Sequence, residues 1–261
     1  MIDLQTTQRF LHEMILQAGQ IAAEYQKNLK TLHVSRKARR DDVTEADIAV
    51  EQFIVKHIRQ RFPEHAIYGE ESGQTAGNEY CWVIDPIDGT TSFLHGQPFY
   101  SVSIGLEYHG NTVLGAVYQP AMHDLFEAVQ DGPALLNDQP IHVSGQEELS
   151  ECMMGTGFAC LRQADACINL RCLSYILPRI RDVRRCGSAA MDLCYVACGR
   201  FDGFWEFNLN PYDISAGAFI AERAGATVSD MRGTRDGLPK EILCTNGKVH
   251  AGMLKLFEAI L

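Results

Sequence analysis

Apolar residues recur at three- and four-residue spacing from Gln5 to about Gln26, at Phe10, Met14, Ala18, Ala22 and Tyr25, which predicts one amphipathic helix. A second helix is expected to open at Thr44–Glu45–Ala46–Asp47, to turn Ile48, Phe53, Ile54, Ile58 and Phe62 inward, and to stop at Pro63. Beyond a polar loop, Gly69–Glu70–Glu71–Ser72–Gly73, the pattern becomes strand-like over Tyr80–Asp85, Tyr100–Tyr108, Thr112–Gln119 and Leu125–Val129. The His109–Gly110–Asn111 break predicts a hairpin, so part of this sheet should be antiparallel. From about Ser144 short strands and helices alternate. Strands are expected at Met153–Gly157, Val183–Gly187, Phe201–Phe207 and Ile242–Thr245, and helices at Asp165–Leu177, Ser188–Cys198, Ile214–Ala224 and Val249–Leu261. No linker, repeat or low-complexity segment separates the two textures. A single domain over 1–261 is therefore expected, with an N-terminal half of about 1–143 and a C-terminal α/β half of about 144–261.

Composition narrows the function. With 46% hydrophobic residues among 261, the chain can bury a large core. No apolar run approaches the roughly 18 residues of a membrane span, and Met1–Ile2–Asp3–Leu4–Gln5 lacks the basic start of a secretion signal, so a cytoplasmic protein is expected. Lys and Arg number 23 against 33 Asp and Glu, a net charge of −10, so neither direct nucleic-acid binding nor an anionic membrane surface is expected. A phosphorylated substrate would be repelled unless bound cations reversed the local sign. The nine cysteines are scattered without a Cys-x-x-Cys pair and read as small buried hydrophobes. The nine histidines show no ligand spacing and receive no role. Arg36, Lys37, Arg39 and Arg40, broken by Asp41–Asp42, form the only basic patch and read as a solvated loop.

The chemistry concentrates in Trp82–Val83–Ile84–Asp85–Pro86–Ile87–Asp88–Gly89–Thr90–Thr91–Ser92–Phe93, an apolar strand that stops at an acid and turns through Pro and Gly. Asp85 and Asp88 can hold a cation, while Gly89 and Thr90 offer backbone N–H groups to an anion. A polar turn with a helix cap would use the same residues. Two acids at the end of so apolar a strand nevertheless repel unless a cation lies between them. An EF-hand would need acids at alternate positions and a closing Glu. An aspartyl-nucleophile phosphatase would need Asp-x-Asp, whereas the spacing here is Asp-x-x-Asp.

Asp42–Val43–Thr44–Glu45–Ala46–Asp47, Gly69–Glu70–Glu71–Ser72, the twelve-residue stretch Trp82–Phe93, Gly187–Ser188–Ala189–Ala190 and Pro211–Tyr212–Asp213–Ile214–Ser215–Ala216–Gly217 occur in one order along nearly the whole chain. In that set the chain resembles the inositol monophosphatase family of metal-dependent, lithium-sensitive phosphatases. The resemblance implies an α/β fold with mixed sheets, layered as an α/β/α/β/α sandwich of the inositol monophosphatase and fructose-1,6-bisphosphatase type. It implies two or three Mg²⁺ ions: Glu70, Asp85 and the carbonyl of Ile87 for the first, Asp85, Asp88 and Asp213 for the second, and Glu70 through water for a third. It gives Thr90, paired with Asp47, and Glu70 the task of aiming and deprotonating the attacking water. Glu70, Ile87, Asp88, Gly89, Thr90, Gly187, Ser188, Ala189, Glu206 and Asp213 are its implied substrate contacts, Glu206 being the acid seven residues before Asp213.

The expected activity is hydrolysis of inositol 1-phosphate by metal-activated water. Fructose 1,6-bisphosphate, histidinol phosphate or a nucleotide 3′-phosphate are the alternatives that keep the chemistry. A homodimer and Li⁺ inhibition follow from the same resemblance. A different class of function, a regulatory partner in a transcription complex, would retain the fold and could use the Arg36–Arg40 patch.

Overall fold

The computed structural model describes residues 2–38, 41–162 and 168–261. The chain opens with α1 (Leu4–Lys27), whose first N–H groups are capped by Asp3. A hairpin follows, β1 (Val34–Ala38) against β2 (Asp41–Thr44), leading into α2 (Glu45–Arg61). Next come β3 (Ala66–Gly69), β4 (Gly73–Thr75), β5 (Tyr80–Asp88), the short α3 (Thr90–Leu94), β6 (Ser101–Tyr108), β7 (Asn111–Gln119) and β8 (Asp124–Val129). The small hairpin β9 (Leu135–Leu136) and β10 (Gln139–Pro140) completes this half. The second half runs β11 (Met153–Thr156), α4 (Ile168–Ile176), β12 (Asp182–Arg184), α5 (Ala189–Ala197), β13 (Gly203–Phe207), α6 (Pro211–Arg223), β14 (Thr227–Ser229), β15 (Glu241–Thr245) and α7 (His250–Glu258).

Eight strands form one sheet in the order β10-β9-β8-β7-β6-β5-β3-β4, antiparallel except where β3 runs parallel to β5. Five form a second sheet, β12-β11-β13-β15-β14, in which β15 runs antiparallel to both neighbours. Three apolar cores set the layers. Leu11, Ile15 and Ala18 of α1 and Val50, Ile54 and Ile58 of α2 pack on Trp82, Ile84 and Leu114 on one face of the large sheet. Phe126 and Val117 on its other face meet α5 and α6, which also cover the small sheet through Phe204 and Cys244. Cys172 and Ile176 of α4 and Met253 and Phe257 of α7 close the far side on Trp205 and Leu243. The result is the expected α/β/α/β/α sandwich. Alternation in the strands lets one sheet serve two cores: Leu125 packs toward α1 while Phe126 packs toward α5 and α6.

Several expectations need correction. Ile48 is 44% exposed, and α2 instead buries Ala46, Asp47, Val50, Glu51, Ile54 and Ile58. The buried carboxylates at Asp47 and Glu51 rotate the inner face away from Ile48. The basic segment is a strand pair rather than a loop, with Arg36 opposite Asp42 and its Nε 3.3 Å from Oδ1. Opposite charges facing each other across a ladder favour that pairing. Arg39 and Arg40 lie outside the described residues, as do the first residues of the helix expected over Asp165–Leu177. Strands β3, β4, β9, β10 and β14 were not expected, since two to four residues carry too little alternation to register. The His109–Gly110 turn does join β6 to β7, both residues at positive φ. All described cysteines are free, and no described helix is long and apolar enough to cross a membrane.

Candidate active site

Strands have a side-chain period of two, so residues three apart should point to opposite faces. Asp85 and Asp88 escape this because the β5–β6 ladder is irregular between them. Asp85 lies opposite Ser103 and Asp88 opposite Ser101, leaving three steps on β5 against two on β6. This is a bulge. Pro86, with no N–H to lose, sits in it, and Ile87 N donates to Asp85 Oδ1 at 3.1 Å. The extra residue sends Ile87 into the core under α1 and α2 with Trp82 and Ile84. It brings Asp88 to the same side as Asp85.

Helix α6 supplies the third acid. Asp213 lies in its first turn, where Asn210 N donates to Oδ2 at 2.6 Å. Each of Asp85, Asp88 and Asp213 offers an oxygen within 4.8 Å of the others. All three are buried, at 2%, 8% and 7% exposure. Like charges about 4 Å apart repel by roughly 4 kcal/mol at an effective dielectric of about 20. Burial, reinforced by Glu70, Asp88, Asp213 and Asp47, pushes the Asp85 carboxyl well above the usual range. Burial also raises Asp88, although Ser188 and Ala190 donate to it and pull the other way. Oxygen-only donors held this tightly fit a hard divalent cation.

The second helix supplies Asp47. Thr44 donates to Asp47 Oδ2 from its N at 2.8 Å and from Oγ1 at 2.6 Å, while Asp47 N donates to Thr44 Oγ1 at 3.3 Å, closing a capping box. Burial lifts the Asp47 carboxyl to about 6, against those hydrogen bonds. Among the described residues Thr90 and Asp47 share no direct hydrogen bond. Thr90 Oγ1 donates instead to Ile87 O at 3.2 Å, because the hydroxyl reaches back over the first turn of α3.

Glu70 follows β3 and is held by its N–H, which donates to Ile84 O at 3.1 Å, so its loop is stitched to β5. Glu51, absent from the sequence reading, secures the other side: Glu71 N and Ser72 N donate to its carboxylate at 2.9 and 2.7 Å. Gly69 is required there, since a Cβ would lie 2.7 Å from that carboxylate. An acid on the inner face of α2 was the available signal.

Beside the acids lies a cleft of about 280 Å³ lined by Asp88, Gly89, Thr90, Gly187, Ala189 and Asp213, and across from them Gly157, Arg185 and Glu206. Gly89 turns with φ 97°, and a Cβ would meet Phe99 O at 2.7 Å. Glu206 on β13 is 6% exposed and accepts from Ala159 N at 2.8 Å. The Ser188 side chain turns away from the cleft that its neighbours Gly187 and Ala189 line. It is 1% exposed, caps α5, and donates to Asp88 Oδ2 at 2.7 Å, where Ala190 N donates at 2.7 Å as well. Its hydroxyl orients an acid rather than facing the cleft. Arg185, also missed, brings a cation to a cleft whose other charged lining residues are Asp88, Glu206 and Asp213.

The arrangement can hold divalent cations on buried carboxylates and an anionic ester beside them. The chain matches the model of the inositol monophosphatase family over residues 3–261. It belongs to that family, and so to a superfamily of phosphatase-type hydrolases acting on phosphomonoesters. It is 42% identical to an inositol-1-monophosphatase of Synechocystis sp. over 261 residues, 98% of this chain and 90% of that one. It is 40% identical to the Nus factor SuhB of Pseudomonas aeruginosa over 250 residues, 94% and 90% of the two chains. Its fold is similar to the crystal structure of extragenic suppressor protein suhB from Bartonella henselae, with TM-score 0.94 and 33% identity over 98% of this chain and 100% of that one.

Proposed function

We propose that the chain is a Mg²⁺-dependent phosphatase that hydrolyses inositol 1-phosphate to inositol and phosphate. The observation that carries this is the convergence of Asp85, Asp88 and Asp213, the last two of which line the cleft. Glu70, Asp85, the Ile87 carbonyl, Asp88 and Asp213 would hold two or three ions. When bound, Mg²⁺ supplies charge neutralisation of the ester and an activated water.

The remaining work falls to the chain. Glu70 takes the proton of the attacking water, and Thr90, with Asp47 behind it, orients that water. For Thr90 this requires its hydroxyl to leave Ile87 O, a rotation about one bond. Backbone N–H groups at Gly89 and Thr90 and around Gly187, Ser188 and Ala189 hold phosphate oxygens. Glu206, buried yet facing the cleft, accepts from ring hydroxyls of a polyol. The relative named inositol-1-monophosphatase supports that choice of substrate. Phosphate release should be compared on inositol 1-phosphate, fructose 1,6-bisphosphate, histidinol phosphate and a nucleotide 3′-phosphate, with and without Mg²⁺. The highest kcat/KM is expected for inositol 1-phosphate and only with Mg²⁺. A strong preference for the nucleotide would overturn the substrate. The homodimer and lithium sensitivity implied by the resemblance belong to this same proposal.

A second reading rests on the relative named Nus factor SuhB. In it the chain also serves a transcription complex by protein contacts, with the Arg36 hairpin as the candidate surface. Capture of RNA polymerase that persists in a phosphatase-dead Asp88→Asn chain is its expected result.

A further inference from the structure

The large sheet carries a second group of ligand-type side chains, away from the cleft. His12 comes from α1, Glu127 from β8, and Asp138 from the two-residue turn between β9 and β10. One ligand atom from each lies within 4.8 Å of the others. A cavity of about 260 Å³ opens on them, lined also by Gln8, Arg9, Glu13 and Leu135.

Glu127 gives the cluster its meaning. Strand β8 alternates, and Glu127 shares a face with Leu125 and Val129, both packed beneath α1. A carboxylate therefore occupies a position that the strand pattern assigns to an apolar side chain. It is 3% exposed. Its Oε2 lies 2.8 Å from His12 Nδ1, while its Oε1 is buried with no hydrogen-bond partner among the described residues. A buried carboxylate oxygen without a donor carries an uncompensated desolvation cost. Arg9 does not meet that need: its Nη2 donates to Thr6 Oγ1 at 3.4 Å, on the outer side of α1. Glu13, Glu127 and Asp138 leave the cavity acidic despite Arg9.

We propose that His12, Glu127 and Asp138 form a second metal site, selective for a divalent transition ion of the Zn²⁺ kind, which ties α1 to the β8 edge and the β9–β10 turn. The donor set makes the selection. An imidazole nitrogen beside two carboxylates suits Zn²⁺ and its neighbours, whereas Mg²⁺ prefers oxygen alone. His12 is half-buried and Asp138 exposed, so closing both onto an ion asks for side-chain rotation rather than movement of the sheet. Glu127 is already fixed, and an ion there would satisfy Oε1. Three protein ligands leave the remaining positions to water, and the ion would join α1, β8 and the β9–β10 turn.

The test is titration of Zn²⁺ into the full chain kept saturated with Mg²⁺, followed by calorimetry and by the change in Tm. The wild type should show a Zn²⁺ binding event and a rise in Tm. His12→Gln should lose both, and Asp138→Asn should weaken the affinity by at least the 10- to 100-fold, roughly, that even outer ligand contacts contribute. Asp138 sits at an accessible position, where Asn tolerates the positive φ of the turn. Circular dichroism of both variants should match the wild type, each variant's zinc-free Tm is the reference for its own Zn²⁺ shift, and phosphate release should be unchanged. If Zn²⁺ binds all three chains alike, or raises the Tm of none, the site does not exist.

Discussion

The eight-stranded sheet carries two carboxylate clusters on opposite faces, one on β5 and one on β8, with β6 and β7 between them. On β5 a bulge turns Asp85 and Asp88 to the α6 side, where Asp213 joins them. On β8 the ladder is regular, and Glu127 faces α1 simply by alternation. The first cluster is all oxygen, buried, and braced by donors from Ser188, Ala190 and Asn210. The second contains an imidazole, is partly open, and leaves one carboxylate oxygen without a donor. Position in the sheet thus gives both clusters charge, but bracing separates them. Donors that fix an acid in one pose prepare it for chemistry, while an acid with a partner missing waits for a ligand.

The largest expected difference comes from removing one acid of each. Asp88→Asn should bring Mg²⁺-dependent phosphate release below detection with the fold intact by circular dichroism. Glu127→Gln should leave kcat and KM near wild type. Substantial activity in the first variant would remove Asp88 from the cation site, and loss of activity in the second would dissolve the distinction between the clusters.

A smaller effect should follow from loosening the brace. Ser188→Ala removes one donor from Asp88 and the cap of α5. Activity should fall about 10- to 100-fold, with the requirement for Mg²⁺ raised, and stability should fall by about 1 kcal/mol. A stability loss without a shift in Mg²⁺ dependence would make Ser188 a helix cap and nothing more.

The smallest effect is in pH. Asp47 has an ordinary carboxyl value of 3.8 and is lifted to about 6 by burial, and Asp85 and Asp88 are raised in the same direction. A folded value above the unfolded one gives stability that is fully present below the unfolded value and lost as pH rises through the folded one. In chelator, Tm should therefore decline from about pH 4 through about pH 7, the value to which burial raises Asp88. Saturating Mg²⁺ or the Asp88→Asn substitution should flatten that decline. A profile that is identical with and without Mg²⁺ would mean that the acids of β5 do not share a cation.

Much of the β5 site was legible because its signal is local. Asp85, Pro86 and Asp88 lie in one turn, and the acids Asp47 and Asp213 each sit where a helix is about to start. Local spacing also carried α1 and the β6–β7 hairpin. Glu51 and Arg185 were not legible. Glu51 acts on a loop twenty residues onward through two backbone N–H groups, and Arg185 enters the cleft from the other sheet's connection to α5. Ile48 misled because charged residues on α2 face inward, against the ordinary rule that acids are solvated.

The sequence by itself determined the elements with strong periodicity and the turn that holds Asp85 and Asp88, because hydrophobic spacing and cap chemistry act over a few residues. The layered α/β sandwich and the joining of Glu70 and Asp213 to those acids were implied by the resemblance to a family, not by any local spacing. Only the tertiary structure decided that a bulge reverses the parity of Asp88, that the Ser188 hydroxyl braces Asp88, and that His12 meets Glu127 and Asp138. Those outcomes depend on strand register and on packing between residues a hundred or more positions apart, as with Ser188 and Asp88 or His12 and Glu127. No local pattern encodes a contact of that range.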